Sequence, residues 1–374
     1  MRGNISEGLG PRIQASGEEF LVAKPLPPHS KQVSLQNFDK IGMINFQAHL
    51  SPKVFDSDIE QKPTRDGYGD GLVLAGEADQ NVVALCADLT ESTRVEAFAK
   101  KFPNRFFEVG VAEQNMATIA AGLGISGKVP FFSSYATFSP GRNWEQIRTT
   151  ISYNDSNAKI AGHHAGISVG PDGATHQALE DVATMRALPN MRVVVPCDAV
   201  EARKATVAAA KVWGPVYIRF AREKTPVFTT DHTPFEVGKA LVLWASENPL
   251  VTIVACGTLV HNALVAAKQL QEEGIGTIVI NSPSIKPMDK DTILDAVRKT
   301  KAVVTAEEHQ VMGGLGGAVS EMLALYEPTP MEFIGMQNTF GESGSPLELI
   351  AKYGMDAPAI VAAVKRVIIR KKKD

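Results

Sequence analysis

The sequence predicts an α/β fold of two consecutive three-layer domains with mostly parallel sheets, preceded by an irregular N-terminal arm. Three observations predict this class. Short apolar or β-branched runs alternate with longer helical stretches through most of the chain. A turn-rich break interrupts them at residues 225–234, and residues 1–60 show neither a helical nor a strand periodicity. We therefore expect an arm at residues 1–62, a first domain at residues 63–228 and a second domain at residues 229–374.

The first domain is expected to alternate helices with strands buried on both faces, because compact apolar runs separate Ala-rich or periodic stretches. In chain order we expect helix 66–75, strand 81–86, helix 92–101, a strand at 106–107, a helix after Glu113, strand 129–132, helix 144–152, strands starting at Ile160 and Val193, helix 198–213 and strand 216–219.

The second domain repeats the alternation after the break. In chain order we expect strand 251–255, helix 258–273, strand 277–280, helix 289–300, strand 302–306 and a glycine-rich turn at 313–317 that opens a further helix.

Composition is that of an ordinary globular protein and excludes several function classes. The 374 residues are 44% hydrophobic and 21% charged, with a net charge of −3, which gives no electrostatic case for binding nucleic acid or an anionic membrane surface. No apolar run approaches the ~20 residues that span a bilayer. The three cysteines lie far apart in strand-like runs, which indicates reduced, buried thiols and a cytoplasmic protein.

The chain is organised around residues 106–116. An extended apolar pair turns at Gly110 into a helix rich in Ala and Gly, which leaves Glu108 and Glu113 on either side of the turn. Glu113 would lie in the first helical turn, beside residues too small to hydrate or screen it, where desolvation favours holding or sharing a proton. The alternative, favoured by spacing alone, is a glutamate stabilised by the helix dipole.

Three motifs resemble those of transketolases and their thiamine-diphosphate relatives. Residues 108–116, Glu-Val-Gly-Val-Ala-Glu-Gln-Asn-Met, are similar to that family's strand-turn-helix, and residues 87–90 and 170–177 stand before and after it in the family's order. The similarity runs from about residue 64 to the C-terminus and covers only about the later two-thirds of a full-length transketolase. It implies a pyrimidine-binding domain, then a C-terminal domain that in the family supports dimerisation.

The resemblance implies that this chain binds the aminopyrimidine half of thiamine diphosphate. In the family, the glutamate matching Glu113 hydrogen-bonds a ring nitrogen of that heterocycle, and the cofactor serves as the electron sink. The aminopyrimidine also needs an aromatic slot, for which Phe138 is the first choice, with Tyr135 and Phe132 behind it. Core packing is the alternative for each of these rings.

The resemblance also assigns substrate residues. Two strand-end loops carry His164, Asp172 and His176, and ligands bind at the carboxyl ends of parallel strands. In the resembling enzymes, the two histidine positions handle proton transfers at the sugar carbonyl and hydroxyl groups, and the aspartate position recognises the donor's C2 hydroxyl. Arg94 and Arg222 match phosphate-binding arginines, although each could be a surface arginine beside a carboxylate.

Two glycine clusters do not support phosphate binding. Residues 313–317 lack the Rossmann and P-loop spacings, so close packing is the better interpretation. Residues 69–71, Gly-Asp-Gly, resemble the start of the metal-diphosphate motif of thiamine enzymes. The Asn that completes that motif is missing from residues 96–101, and the triplet lies in a helical segment. We therefore expect no metal ligand from this chain.

These observations predict the C-terminal subunit of a split transketolase. It would transfer a two-carbon ketol unit from a ketose phosphate of the xylulose 5-phosphate type to an aldose phosphate, in pentose phosphate metabolism or a specialised catabolic route. We expect it to be inactive alone, because a separate N-terminal subunit would hold Mg²⁺ and the diphosphate. The active site would then form between chains, in a heterotetramer that includes a homodimer of this chain.

Three rival interpretations stay open. The β subunit of a 2-oxo-acid dehydrogenase E1 component shares the domain order and the glutamate, but is not expected to carry the His, Asp and His set with phosphate-reading arginines. A fragment of a 1-deoxyxylulose-phosphate synthase is a second rival. A non-catalytic binding homologue is the third, although Glu113 and the histidines are present.

Overall fold

Two mostly parallel sheets, each packed between helices, form the centre of the fold in this computed structural model, which describes residues 43–371. Residues 1–42 of the arm expected at 1–62 lie outside the described residues, as do residues 372–374. Within the described part of the chain, the prediction of an α/β fold with two domains and mostly parallel sheets is confirmed.

The first sheet has seven strands within the described residues, and all but one of its pairings are parallel. In spatial order they are β12 (Ser284–Lys286), β6 (Arg192–Val194), β7 (Val216–Arg219), β5 (Lys159–His163), β4 (Val129–Tyr135), β2 (Val82–Cys86) and β3 (Phe106–Glu108). The exception is β12, which comes from the second domain and pairs antiparallel with β6.

The second sheet has five strands within the described residues, with one antiparallel edge. In spatial order they are β14 (Met331–Met336), β13 (Val303–Gln310), β10 (Pro249–Ala255), β11 (Gly276–Asn281) and β9 (Leu241–Ala245). The antiparallel strand is β9, which pairs with β11. A separate antiparallel ribbon joins β1 (Gln61–Pro63) to β8 (Lys224–Pro226), at the start of the expected break.

Helices connect and cover these strands. The α-helices are α1 (Thr64–Ala78), α2 (Glu96–Lys101), α3 (Glu113–Ile125), α4 (Trp144–Gln146), α5 (Asp181–Arg186), α6 (Ala199–Lys211), α7 (Leu259–Glu272), α8 (Lys290–Thr300), α9 (Leu315–Tyr326), α10 (Pro346–Lys352) and α11 (Ala357–Lys371). Short 3₁₀ segments cover Phe46–Ala48, Pro103–Arg105 and Ile167–Asp172, and a π-helix covers Ile147–Ser152.

Alternate residues of the strands pack on opposite layers. On β4, Phe131 joins a hydrophobic cluster that includes Leu72 of α1, whereas Phe132 joins another that includes Met116 of α3. Successive strand side chains point to opposite faces, so both faces of the sheet are buried. This is why its strands read as continuous apolar runs rather than alternating patterns.

The observed elements differ from the expected ones in a few places. The helix expected at 92–101 begins only at Glu96, because Asp88 and Arg94, with φ of 57° and 64°, hold the preceding residues in turns. The helix expected at 144–152 changes from α to π at Ile147. The sequence analysis did not predict β9, β12, β14 or the two C-terminal helices. β12 has three residues and β14 includes a Glu and a Gly, so both carry a weak apolar signal.

Glycines 67 and 71 bring α1 against α6. An added Cβ at Gly67 would collide with the carbonyl of Ala199, and one at Gly71 would lie 2.7 Å from the carbonyl of Arg203. Asp70, between them, is ion-paired with Lys62 at 2.9 Å. The Gly-Asp-Gly triplet at 69–71 is therefore a helix-packing element, as its position in a helical segment predicted.

The described part of the expected arm packs on the second domain. The amide of Asn45 donates to the carbonyl of Leu243 at 3.0 Å, and the amide of Ala245 donates to the carbonyl of Met43 at 2.8 Å. Residues 43–45 thus extend the sheet beyond β9. These described residues of the arm therefore pack on the second domain of their own chain.

The three cysteines are free and buried, and burial raises the pKa of each thiol. At the C-terminal end, Arg370 donates to a carboxylate oxygen of Glu332 at 2.8 Å, so the start of the basic tail makes an internal contact. Within the described residues, no helix combines the length and apolarity needed to cross a bilayer.

Candidate active site

Side chains predicted to act in catalysis gather at the carboxyl ends of neighbouring parallel strands. Tyr135 is the last residue of β4, and His164 follows the end of β5. These two strands pair in parallel, with Tyr135 opposite His163. Their carboxyl ends therefore lie at one edge of the sheet, where open α/β sheets bind ligands.

Glu113 begins α3 and is almost completely buried, with 1% of its surface exposed. One carboxylate oxygen accepts a hydrogen bond from Arg142 Nη1 at 2.7 Å, and the other lies 3.5 Å from Ser134 Oγ. The expectation that only small residues surround this carboxylate is therefore wrong. The Arg142 guanidinium, which is half exposed, supplies a positive charge that the sequence analysis missed.

Glu108, unlike Glu113, is bonded mainly to backbone amides of the neighbouring loops. Its Oε1 accepts hydrogen bonds from the amides of Asp88 at 2.7 Å and Gly110 at 2.9 Å, and its Oε2 accepts one from Thr90 Oγ1 at 3.0 Å. Gly110 has a φ of 68°, a left-handed conformation that glycine adopts without strain. Glu108 therefore joins the loop after β2 to the turn that leads into Glu113.

Four rings form a connected group, which we call the ring cluster: Tyr135, Phe138, His164 and His176. The ring of Tyr135 stacks on His164 at 3.9 Å between centroids and on Phe138 at 5.8 Å. His176 meets Phe138 edge-on at 5.5 Å. The guanidinium of Arg142 lies 4.8 Å from the Phe138 centroid, so one arginine connects the ring cluster to Glu113.

Phe132 lies apart from the ring cluster. It is fully buried in the hydrophobic cluster that contains Leu85, Met116 and Ile160. Its place is that of a core residue, as the packing alternative for this ring predicted. Phe132, the last-ranked candidate for the aromatic slot, is therefore a core residue, because strand alternation directs it into the layer beneath α3.

His164 is held neutral beside an arginine. Its Nε2 lies 2.9 Å from Arg65 Nη1, and burial together with that guanidinium lowers the pKa of His164 to about 3. Since Arg65 can only donate, Nε2 accepts and the ring proton lies on Nδ1. Nδ1 has no hydrogen-bond partner within residues 43–371, and the left-handed φ of 51° holds the ring in this position.

His163, the preceding residue, points into the core. Its ring stacks on Phe220 at 5.0 Å and meets Tyr68 edge-on at 4.8 Å. Burial lowers its pKa well below the ordinary value for histidine, and neither ring nitrogen has a hydrogen-bond partner in the described part of the chain. It is a structural histidine, in contrast to His164.

Three arginines act electrostatically on His164. The charges of Arg65, Arg222 and Arg94 each contribute to lowering the pKa of that imidazole, after the larger effect of burial. Arg222 donates to Asp172 at 3.3 Å, and Arg94 Nε donates to Asp66 at 2.7 Å. Both arginines predicted from the sequence therefore act electrostatically on His164, and each also has the carboxylate neighbour that the surface alternative required.

The sequence analysis missed Arg65. It lies in the first turn of α1, where a cation opposes the helix dipole. That unfavourable position is a signal that the sequence analysis did not use. Arg65 also donates to the carbonyl of Ser92 at 3.0 Å, which fixes its guanidinium between two loops.

His176 and Asp172 lie on the loop that follows β5. Nδ1 of His176 is 2.9 Å from Thr175 Oγ1, and the Asp172 side chain is one-third exposed. The loop therefore brings the predicted His, Asp and His set to the edge that also holds Tyr135 and Glu113.

The glycine-rich turn at 313–317 lies in the second domain, and the chain's own carboxylate occupies it. The amides of Leu315 and Gly316 donate to the two oxygens of Glu307 at 2.7 and 2.8 Å. An anion-binding helix start is thus occupied internally, which agrees with the packing interpretation. Within residues 43–371, no group of three or more His, Cys, Asp or Glu side chains is arranged to hold a metal ion.

Comparison with known protein families matches most of the chain. A family model described as the transketolase pyrimidine-binding domain matches residues 60–227, and one described as the transketolase C-terminal domain matches residues 238–360.

Curated relatives agree with these matches. A putative transketolase C-terminal section from Methanocaldococcus jannaschii is 43% identical over 317 residues, which cover 84% of this chain and 98% of the relative. Human transketolase is 37% identical over 371 residues, which cover 98% of this chain but 58% of the human protein.

A solved structure has the same fold. It is described as a split-gene transketolase in an inactive β4 tetramer. Its TM-score to this chain is 0.77 at 47% identity, and the alignment covers 83% of this chain and 99% of that one. The chain therefore belongs to the transketolase family and carries that family's pyrimidine-binding and C-terminal domains.

Proposed function

We propose that this chain is the C-terminal subunit of a split transketolase. Together with a separate N-terminal subunit, it would transfer a two-carbon ketol unit from a ketose phosphate to an aldose phosphate. The observation that carries the proposal is the joining of Glu113 to the ring cluster through Arg142, at a strand edge where three arginines act electrostatically on His164. The chain's similarity to a C-terminal section over 98% of that relative's length supports it.

The residues present fit the aminopyrimidine half of thiamine diphosphate. Glu113 is a buried carboxylate able to hydrogen-bond a ring nitrogen, and Arg142 connects it to Phe138, the first choice for the aromatic slot. When bound, the cofactor would supply the electron sink for cleaving a carbon–carbon bond. Glu113 would hold or move a proton at the heterocycle, and the rings would orient it and exclude water.

The groups around His164 fit a phosphorylated, polyhydroxylated substrate. In the neutral ring, Nδ1–H is a donor without a partner in the described residues, and it can hydrogen-bond a sugar oxygen. Asp172 can accept from a hydroxyl group, and His176 can exchange a proton at another. We assign phosphate binding to the three arginines that act electrostatically on His164, with Arg65 added to the predicted Arg94 and Arg222.

Mg²⁺ and the diphosphate are assigned to the partner subunit. Two observations support this assignment. Gly71 of the Gly-Asp-Gly triplet packs α1 on α6, and Asp70 is paired with Lys62. A relative at 47% identity is described as inactive in a tetramer of β chains. The working assembly would be a cytoplasmic heterotetramer in which two copies of this chain meet two N-terminal subunits.

Reconstitution tests this proposal. The purified chain is mixed with thiamine diphosphate, Mg²⁺, xylulose 5-phosphate and an aldose phosphate, with and without the N-terminal subunit. We expect turnover only when both subunits are present. Robust activity of this chain alone would overturn the split-subunit assignment.

The same reconstituted complex distinguishes a transketolase subunit from the β subunit of a 2-oxo-acid dehydrogenase. The β subunit of a 2-oxo-acid dehydrogenase would act on 2-oxo acids and ignore ketose phosphates. Parallel assays with the two substrate classes decide between them. Thiamine diphosphate titrations with and without the partner test the non-catalytic alternative, which predicts no partner-dependent turnover.

A further inference from the structure

We propose that Glu308, a residue of the second domain, positions the loop that carries His164, Asp172 and His176. We call residues 164–177 the histidine loop. The inference gives the second domain a direct part in the active site, beyond the support of dimerisation implied by the family resemblance. Its catalytic consequence rests on the proposed function, whereas its structural part can be tested without it.

Glu308 joins the two domains through one carboxylate oxygen, and its other oxygen is bonded within its own domain. Oε1 accepts a hydrogen bond from the amide of Ser168 at 2.6 Å, and Oε2 accepts one from Thr258 Oγ1 at 2.7 Å. Glu308 is 4% exposed, so the contact is sheltered from water. A hydrogen bond from an amide to a buried carboxylate is strong. Removing the Glu308 carboxylate would leave the Ser168 amide without its partner.

The histidine loop is shaped to approach this carboxylate. Gly166 has a φ of 95°, and an added Cβ there would collide with the Glu308 carboxylate. The 3₁₀ segment Ile167–Asp172 begins at the next residue, so its first amides lie over Glu308. Any side chain at position 166 would meet both backbone strain and a steric clash.

The far end of the loop has a second attachment to the same domain. Gln177 Nε2 donates to the carbonyl of Glu342 at 2.9 Å. Arg219 Nη2 donates to the carbonyl of Glu308 at 2.8 Å and to that of Ala178 at 3.1 Å. The second domain therefore holds the histidine loop at both ends.

This attachment determines where three predicted substrate residues stand. The loop contains a kinked 3₁₀ segment and a few internal hydrogen bonds, such as those from the amides of Gly173 and His176, so its contacts with the second domain add to them in fixing its path. Displacing a reacting group by about 1 Å can lower a rate about 10²-fold. Glu308 is in this sense a positioning residue.

Glu307 provides a matched control. It precedes Glu308 on β13, is 2% exposed, and bonds two amides at the start of α9 instead of the histidine loop. Removing either carboxylate should destabilise the second domain. Only the removal of Glu308 should change the histidine loop.

Kinetics of the assembled complex form the first test. For Glu308→Ala we expect kcat/KM for the ketose phosphate to fall about 10²-fold, through both kcat and KM, with unchanged affinity for thiamine diphosphate. Glu308→Gln should stay within about tenfold of the wild type, because its carbonyl oxygen can still accept from Ser168. Glu307→Ala should keep kcat/KM per folded molecule.

Histidine NMR of the isolated chain is the second test, and it needs no activity. We expect the ring signals of His164 and His176 to move in Glu308→Ala and to stay in place in Glu307→Ala and Glu308→Gln. Unmoved signals in Glu308→Ala, or equal movement in both alanine variants, would overturn the positioning role. If the wild-type complex shows no ketose-phosphate turnover, the proposed function fails, and the NMR result still decides the role of Glu308.

Discussion

The carboxyl-terminal parts of β5 and β13 differ in an instructive way, because each carries consecutive titratable residues whose polar atoms have different partners. At β5, His164 faces the ring cluster with Nδ1 unpartnered in the described residues. At β13, the oxygens of Glu307 and Glu308 are all bonded, to the start of α9 and to Ser168 and Thr258. A strand-end position is therefore insufficient to make a site. What matters is whether the polar atoms already have partners.

The largest effect should come from the first of these edges. Glu113→Gln removes the carboxylate while keeping its size, and we expect turnover of the assembled complex to fall by about 10²–10⁴-fold, the usual loss for a general acid–base group. Steady-state rates with xylulose 5-phosphate measure it. Unchanged complex formation by size-exclusion chromatography is the control. A variant that keeps more than a tenth of the activity would show that Glu113 is not a general acid–base group.

The second edge should respond in stability instead. Glu307→Ala leaves two amides at the start of α9 without their acceptor, and we expect a loss of about 2–4 kcal/mol in the free energy of unfolding. Urea denaturation followed by circular dichroism measures it. A normal stability, or a loss of activity beyond the loss of folded protein, would show that this carboxylate is not purely structural.

Removing Arg65 should weaken catalysis at the β5 edge. Arg65→Met deletes a cation that bonds His164, and we expect kcat/KM for a phosphorylated ketose to fall about 10- to 100-fold, the worth of a charge-assisted hydrogen bond. The pKa of His164, about 3 in the folded chain, should rise because one positive neighbour is lost. Histidine NMR titration measures that rise.

A ketose without the phosphate supplies the control for the Arg65 variant. If Arg65 binds phosphate, the unphosphorylated donor should lose little rate. Equal losses for both donors would assign Arg65 to the orientation of His164 rather than to phosphate.

The smallest effect concerns His163, the buried neighbour of His164. Its ring nitrogens are unpartnered within residues 43–371, so His163→Leu should stabilise the fold by about 1 kcal/mol at pH 8 while leaving activity unchanged. Denaturant midpoints across pH measure this. A loss of stability at every pH would mean that the imidazole has a polar role that the structure does not reveal.

The pH dependence of this variant has a definite sign. The pKa of His163 in the folded chain is well below 6.5, so below about pH 6.5 the unfolded chain binds a proton that the folded chain does not. Stability therefore falls as the pH falls from about 6.5. The advantage of His163→Leu should grow by about 2 kcal/mol at pH 5, whereas His164 keeps its own contribution in both proteins.

The sequence by itself determined the class of fold and one side of the site. Alternating apolar runs and helical stretches are local patterns, so they predicted the central strands and the helix that starts at Glu113. Motif order predicted the family, together with the strand-end loop of His164 and His176. Three strands, β9, β12 and β14, went unpredicted, although β9 is a continuous apolar run.

Only the tertiary structure decided which charges meet at the site. Arg65 contacts His164 across 99 positions of sequence, and Glu308 contacts Ser168 across 140. The tertiary structure also directs Phe132 and His163 into the core, whereas Phe138 and His164 belong to the ring cluster. Periodicity reports on residues a few positions apart, whereas these contacts depend on how the strands are ordered and how the domains pack. That is the physical reason why Arg142, Arg65 and Glu308 were found only in the folded chain.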